Sequence, residues 1–319
     1  MNKSILRLRK QWYYLTNALG LAIPRSFYQS RLERSLSLLD GIDVERLRRR
    51  VEYYNKLQAP FRVSPDARQL SDFRISEGST YFFDLRNVLK YFPYSARVDW
   101  CFGDITHVPH TPSLVKSRPI TDSNQNSILM PFNQIRHFVF VRDRIPFRQK
   151  EDRAVWRGKG MRNPTRRDFV ERYMNQPCCD VGLTDRRLQS APSYRPFMSI
   201  PEQLRYKFIV SIEGNDVATN LKWIMSSQAL CLMTRPRYET WFMEGMLAPD
   251  IHYVLLKDDY SDLEQKISYY RNNPVAAERI IENANDFVHT FQNPRLERLA
   301  ALMVLDKYLR LSGQRTPTA

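Results

Sequence analysis

The spacing of apolar residues changes period several times along the chain, and each change marks an element. Phe208-Ile209-Val210-Ser211-Ile212 is a nearly continuous apolar run with β-branched residues, the make-up of a buried strand. Glu213-Gly214-Asn215-Asp216 interrupts it with turn chemistry, since Gly and Asn tolerate positive φ and Asp suits a helix N-cap. From Val217 the spacing turns helical through Leu221, Trp223, Ile224 and Met225, which predicts a helix starting just after Asp216. Residues 229–233 and 253–256 read as two further buried strands. Strand, tight turn, helix, strand is a βαβ unit, and it predicts a parallel sheet covered on both faces.

The rest of the chain is read in the same way. Residues 1–57 read as helices: Leu6, Leu8 and Trp12 stand among Arg7, Arg9 and Lys10, and Leu32, Leu36, Leu39, Val44 and Leu47 follow at roughly helical spacing. Residues 58–80 carry Pro, Ser and Asp and read as loop. Residues 81–91 suggest a short element and 98–103 a strand, followed by an irregular, proline-pinned loop over 104–112. Residues 136–141 and 153–156 are further strand candidates, and the charged stretch 142–152 with Pro146 is the expected crossover between domains. A helix over 164–175, a short strand at 180–182, a basic loop over 183–196 and three helices over 262–271, 274–290 and 294–311 complete the pattern. Pro274 and Pro294 stand where a first helical turn begins. Only the tail after Ser312 reads as frayed.

At 319 residues and 37.9 kDa the chain is long for one core and comfortable for two domains. The net charge of +15 favours an anionic partner: nucleic acid, an acidic membrane surface or a phosphorylated substrate. Four cysteines, Cys101, Cys178, Cys179 and Cys231, form no CxxC pair, which suits a reduced, cytosolic chain. No secretory signal is apparent, and the apolar patch over 15–23 is too short for a membrane span, so the chain is expected to be soluble or peripheral. The basic, amphipathic N-terminal region admits two readings: a helix lying on an anionic membrane, or a solvated helix packed on its own domain.

Three places could carry chemistry. The turn after the 208–212 strand sets helix N–H groups at a strand's carboxyl end, a ready phosphate site, although neither GxGxxG nor GxxxxGK[ST] is present. Asp104 follows a strand and precedes a rigid loop, a common place for an Asx-turn. With His107 and His110 it could also hold a metal, but Pro109 removes helical convergence, and no DxD sequence offers the usual metal–diphosphate ligation. Finally, Arg157, Lys159, Arg162, Arg166 and Arg167 surround a Gly-rich turn and a helix start. Cations there oppose the helix dipole unless an anion sits among them, the alternative being a solvated charge run.

An ordered set of residues then points to a family. Lys207, Gly214 with Lys222 on the following helix, Trp241, Leu247-x-Pro249-x-x-His252-Tyr253-Val254 and Asp259-x-Ser261-Asp262-Leu263 resemble glycosyltransferase family 90. The resemblance runs from about residue 97 to about 273, and the block from Gly214 to Trp223 looks most like the bacterial lipopolysaccharide core branch. It implies a GT-B fold: two Rossmann-like α/β domains facing across a cleft, acceptor side in 1–150 and nucleotide-sugar side in 151–319, with the final helix able to pack back on the first. It implies inverting transfer of a hexose or similar sugar from a UDP-sugar to an anionic saccharide acceptor of the lipopolysaccharide core, with no cofactor and no metal. The expected location is cytoplasmic, peripheral on the inner face of the inner membrane. Asp104 is then the catalytic base, although its surroundings depart from the NxRDxP form of eukaryotic members. Trp156-Arg157-Gly158 and Pro164-Thr165-Arg166-Arg167-Asp168 match a diphosphate-binding segment, which makes Arg157, Lys159 and Arg167 donor-binding candidates. Gly214, Asp216, Thr219, Asn220 and Glu239 complete that implied set. Asn220 stands where eukaryotic members carry Arg, so charge on the leaving diphosphate must be met elsewhere. The competing classes are a nucleic-acid-binding protein, for which no helix-turn-helix, RRM or zinc-finger pattern is present, and an inactive sugar-nucleotide-binding scaffold.

Overall fold

The apolar runs pair as a parallel sheet. Across it lie Cys179–Leu183, Glu151–Gly158, Tyr206–Ser211, Leu230–Met233 and Val254–Leu255, all parallel, with Val210 opposite Leu232 and Trp156 opposite Val181. Helices cover the sheet, so its strands read as apolar runs rather than as alternation. Phe169, Val170 and Tyr173 of helix Pro164–Tyr173 bury themselves with Phe208 and Val210. Leu263, Ile267 and Tyr270 of helix Leu263–Asn272, with Ala277, Ile280 and Ile281 of helix Pro274–His289, complete this core. Each such Leu, Ile or Phe contributes about 1.5–3 kcal/mol by leaving water. Pro164, Pro274 and Pro294 each open a helix, and the Asn163 side chain caps the first by accepting from Arg166 N.

The computed structural model describes residues 3–37, 43–75 and 79–316; Leu39 and the last three residues of the tail lie outside it, as does the side chain of Leu6. By packing, the chain divides into two compact units. The first, with the five-stranded sheet, comprises Met1–Lys10, His137–Pro236 and Met246–Thr290; the second comprises Gln11–Arg136, Arg237–Gly245 and Phe291–Ala319. In the second, Trp100–Cys101, Ser113–Val115 and Ser127–Leu129 form a small parallel sheet, and Ser117–Pro119 pairs antiparallel with Tyr238–Thr240. Helices Val44–Tyr54, Ser79–Leu89 and Pro294–Leu311 belong to it. The architecture is mixed α/β. Among the described residues no helix is long and apolar enough to cross a membrane.

Three expectations need correction. The helix after Asp216 starts only at Leu221 and runs to Met225, because Asn220 stays outside it and spends its side chain on the preceding strand. Residues 136–141 are no strand: a helical turn, Gln134–His137, leads into irregular chain whose Val141 N–H goes to Ser226 Oγ instead of a ladder. A β-rich run without an edge to join stays unpaired. The strand expected over 98–103 is split at Asp99, with Arg97–Val98 antiparallel to Arg68–Gln69 and Trp100–Cys101 joining the small parallel sheet.

Candidate functional site

Strand order in the large sheet fixes where a ligand can lie. From Glu151–Gly158 the chain passes to Cys179–Leu183 on one side, then returns to Tyr206–Ser211 on the other and continues outward. The order therefore reverses between Glu151–Gly158 and Tyr206–Ser211, and open α/β sheets bind ligands beyond the carboxyl ends of strands at such a reversal. There the first unit places Gly158, Lys159, Gly160, Glu213 and Gly214.

Arg166 organises this edge. Its Nη2 donates to Ile212 O at 2.8 Å, its Nε to Glu213 O at 3.1 Å and its Nη1 to Lys159 O at 2.9 Å, so one guanidinium joins the two strand ends. Gly214 lies close against this guanidinium, since a Cβ would stand 3.2 Å from Arg166 Nη2. Its φ is not positive, contrary to the turn expectation. Gly160 is tighter still, with a Cβ falling 2.5 Å from Leu183 Cδ2. The Gly160 N–H donates to Asp185 Oδ2 at 2.8 Å, a carboxylate partner that no motif announced.

The candidate residues separate clearly at this edge. Arg157 turns to the neighbouring strand: Nη2 reaches Asp180 Oδ1 at 2.5 Å and Nη1 reaches Asp180 O at 2.7 Å, leaving its side chain 5% exposed. Burial raises the Asp180 pKa, but hydrogen bonds from Tyr206 and Arg157 outweigh it and hold the carboxyl below its ordinary value. Lys159 and Arg167 are exposed, and the Arg167 side chain reaches Met161 O at 3.5 Å. Asp216 is buried in the turn and Thr219 half-buried. Asn220 donates Nδ2 to Val210 O and accepts from Ser211 Oγ, both at 3.1 Å, which ties the short helix to its strand. Because that helix has five residues, it offers little N-terminal dipole, and exposed cations are the charge available to an anion.

Other motif letters hold structure. Lys207 pairs with Asp152 at 3.6 Å. His252 Nδ1 accepts from Ala248 N at 2.9 Å, and burial lowers its pKa, so it is a neutral turn-holding acceptor. Asp259 and Asp262 accept backbone N–H groups of Ser261 and Lys257. Trp241, in the second unit, stacks on Tyr54 at 3.7 Å and donates to Glu297 Oε2 at 2.6 Å.

The second unit carries Asp104. Gly103, at φ 107°, turns the chain in a conformation suited to glycine. Ile105 is then strapped to Ser117, N–H to Oγ and Oγ–H to carbonyl, both 3.1 Å. Lys116, buried beneath, directs its ammonium to Asp104 Oδ1, while the Asp104 side chain keeps 34% of its surface in solvent. The result is a carboxylate paired with a buried cation and partly exposed to solvent. Glu239 belongs to the same unit. It is fully buried and accepts from Arg118 Nε at 2.7 Å and from Tyr53 Oη. Burial and the Glu239 charge push the Tyr53 pKa well up, so that phenol stays a donor.

His107 and His110 are exposed on the loop after Asp104, and among the described residues no group of three or more His, Cys, Asp or Glu is arranged for a metal. The four thiols are free, and burial pushes Cys179 and Cys231 far above the ordinary thiol range.

The model of glycosyl transferase family 90 matches residues 128–309, more than half of the chain. The chain belongs to glycosyltransferase family 90. Over 316 residues, 96% of this chain and 98% of the relative, it is 43% identical to O-glucosyltransferase LpsA of Dichelobacter nodosus. Protein O-glucosyltransferase 3 of Homo sapiens is 26% identical over 165 residues, half of this chain and 32% of the human protein. The family 90 chain is therefore a glycosyltransferase, which decides between transferase and nucleic-acid-binding protein. The family match includes the reversal point of the sheet, with Lys159, Arg167 and Gly214. Asp104 precedes it and falls within the longer similarity to LpsA.

Proposed function

We propose that the chain is an inverting, UDP-sugar-dependent glycosyltransferase of GT-B type, with the acceptor side carried by the second unit and the donor side by the first. The observation that carries the donor side is the reversal point of the parallel sheet, where Arg166 locks two strand ends and Lys159 and Arg167 stay exposed. In this reading Lys159 and Arg167 bind the diphosphate, and Gly214 lets the backbone approach it. Asp216, Thr219 and Asn220 keep the turn in shape, and Arg157 aligns the edge through Asp180. Asp104 removes the proton from an acceptor hydroxyl as that oxygen attacks the anomeric carbon. The bond from that carbon to the UDP oxygen breaks, the electron pair leaves with UDP, and configuration inverts. Cations rather than a metal meet the charge on the leaving group. Glu239 braces Arg118 beside Lys116 in the sequence and takes no direct part in donor binding.

The acceptor is proposed to be an anionic sugar of the lipopolysaccharide core, which suits the charge of +15 and the name of the LpsA relative. The proposed location is the cytoplasmic side of a membrane. Thermal-shift measurements across nucleotides and sugar nucleotides test the donor assignment: UDP and a UDP-hexose should raise the midpoint more than GDP or ADP counterparts. Equal shifts for all bases, or none, overturn it.

A further inference from the structure

Helix Lys3–Leu19 turns an apolar row to solvent. Its inward contacts are largely hydrogen bonds, with the Tyr13 and Tyr14 rings also edge-on to Phe83. Tyr13 Oη donates to Asp84 Oδ1 at 2.8 Å, Tyr14 Oη and Ser79 Oγ lie 2.8 Å apart, and Asn87 Nδ2 donates to Asn17 Oδ1 at 2.7 Å. The opposite row, Trp12, Leu15 and Leu19, is apolar and 68%, 52% and 64% exposed. Leu21, Ile23 and Phe27, just past the helix, are exposed as well. A largely hydrogen-bonded inner face with an apolar outer one suits a helix whose outer side meets something other than water.

What it meets is indicated by charge. A cavity of about 240 Å³ in the same unit is lined by Leu21 and Ile23 together with Arg25, Arg74, Arg86 and Lys90, and among the described residues no carboxylate lines it. Among the described residues the cations there bond neutral oxygens: Arg25 Nη2 to Leu89 O at 2.6 Å, Arg86 Nη2 to Gly20 O at 3.3 Å, Lys90 Nζ to Asn87 Oδ1 at 3.0 Å. Buried Arg25 Nε has no hydrogen-bond partner among the described residues. Burial, with Arg86 and Arg298 adding to it, pushes the Lys90 ammonium down to about 8, as expected of a cation half-buried beside other cations. The sequence agrees, since residues 1–32 hold Lys3, Arg7, Arg9, Lys10, Arg25 and Arg31 and no Asp or Glu.

We propose that this face of the second unit docks on an anionic bilayer, with Trp12, Leu15 and Leu19 entering the headgroup–acyl boundary and the cavity at Arg25, Arg86 and Lys90 taking a lipid phosphate. The apolar row and the basic cavity together supply the two signals that stable attachment needs. The proposal rests on the membrane-side location given above, and adds the surface and the lipid chemistry that produce it.

The test is flotation of the full chain with vesicles of phosphatidylcholine alone and of equal parts phosphatidylcholine and phosphatidylglycerol. Binding should be confined to the anionic vesicles and decline with added sodium chloride. Trp12→Ser with Leu15→Ser, both exposed, should weaken it about ten-fold with an unchanged melting curve. Arg74→Gln and Lys90→Gln should each cost about five-fold, the factor that corresponds to about 1 kcal/mol per cation near an anionic surface. Equal binding to neutral vesicles, or none to anionic ones, overturns the proposal. So does lipid-free dimerisation that Trp12→Ser abolishes, which would assign the face to a second copy. Release by inorganic phosphate beyond that by sodium chloride of equal ionic strength would give the cavity to a free anion instead. Failure of flotation with the UDP shift intact overturns docking alone, and the reverse pair of results overturns only the donor assignment.

Discussion

Replacing Asp104 by Asn tests the proposed base, and the structure separates two effects that the variant will mix. Lys116 is 2% exposed and points its ammonium at a carboxylate whose side chain is 34% exposed. Removing one partner of a fully buried pair costs about 3–5 kcal/mol. Here one partner faces water, which screens the change, so about 1–3 kcal/mol is the expected loss. For a unit of this size that lowers the melting midpoint by roughly 2–10 °C, and a protein with about 5–15 kcal/mol of stability stays folded at 25 °C. Unfolding therefore leaves the specific activity nearly untouched. Loss of a general base instead lowers transfer by about 10²–10⁴, or about 3–5.5 kcal/mol in the barrier. The assay is transfer from a UDP-hexose to a core saccharide well below the midpoint, with UDP affinity measured by calorimetry on the same sample. Transfer should fall by that factor while UDP affinity holds. Transfer within ten-fold of the unmodified chain would refute Asp104 as the base, and a joint fall of transfer and UDP affinity would mark it as structural.

Lys159→Ala and Arg167→Ala should each weaken UDP binding by about 1.5–3 kcal/mol if each gives a charge-assisted bond; unchanged calorimetric affinity in both would remove them from the donor site. Transfer should survive EDTA nearly unchanged, and abolition restored by manganese would contradict the metal-free reading. Asp84 gives a pH test. Burial raises its folded pKa to about 7, outweighing the hydrogen bonds from Tyr13 and the backbone of Asn133 and Gln134, against an unfolded value of about 3.9. The folded state thus favours the protonated acid, and this contribution is complete below pH of about 4 and lost as pH rises to about 7. The melting midpoint of the unmodified chain should fall relative to Asp84→Asn over that window, and a constant difference would show that Asp84 does not titrate there.

Much of the first unit was legible because its strands are covered on both faces. Phe208-Ile209-Val210 and Leu230-Cys231-Leu232 can only be buried, and Pro164, Pro274 and Pro294 mark helix starts that nothing later overrides. The second unit was harder to read. Its strands are two or three residues long, too short to show a period, and Tyr238–Thr240 joins Ser117–Pro119 from more than a hundred residues away. The apolar run over 136–141 had the right letters and no edge to pair with. Arg118 and Glu239 meet only through that distant pairing, so their ion pair left no local signal. Helix Lys3–Leu19 did leave one: Leu8, Trp12, Leu15 and Leu19 share a helical row, but a row of Leu and Trp ordinarily faces inward.

The motif letters and the solvent-exposed candidates turn out to be largely different sets. Arg157, Lys207, Asn220, Trp241 and His252 carried the resemblance, yet each is engaged by its own fold: Asp180, Asp152, Val210 O, Glu297 and Ala248 N are their partners. A side chain whose polar atoms already bond the protein must break those bonds before it can serve a ligand, at about 0.5–1.5 kcal/mol for each ordinary hydrogen bond. Lys159 and Arg167 are exposed and need break little, and Asp104 pairs with Lys116 while 34% of its side chain stays in solvent. The same reasoning explains Asn220. An Arg there would have to abandon Val210 O and Ser211, the bonds that hold the short helix to its strand, so positive charge for a diphosphate is placed more cheaply on the loop and helix after Gly158. In the proposed reading, donor recognition comes from exposed cations on a rigid strand edge, and the rigidity comes from Arg166, whose bonds to Ile212 O, Glu213 O and Lys159 O make it the residue through which the edge keeps its shape.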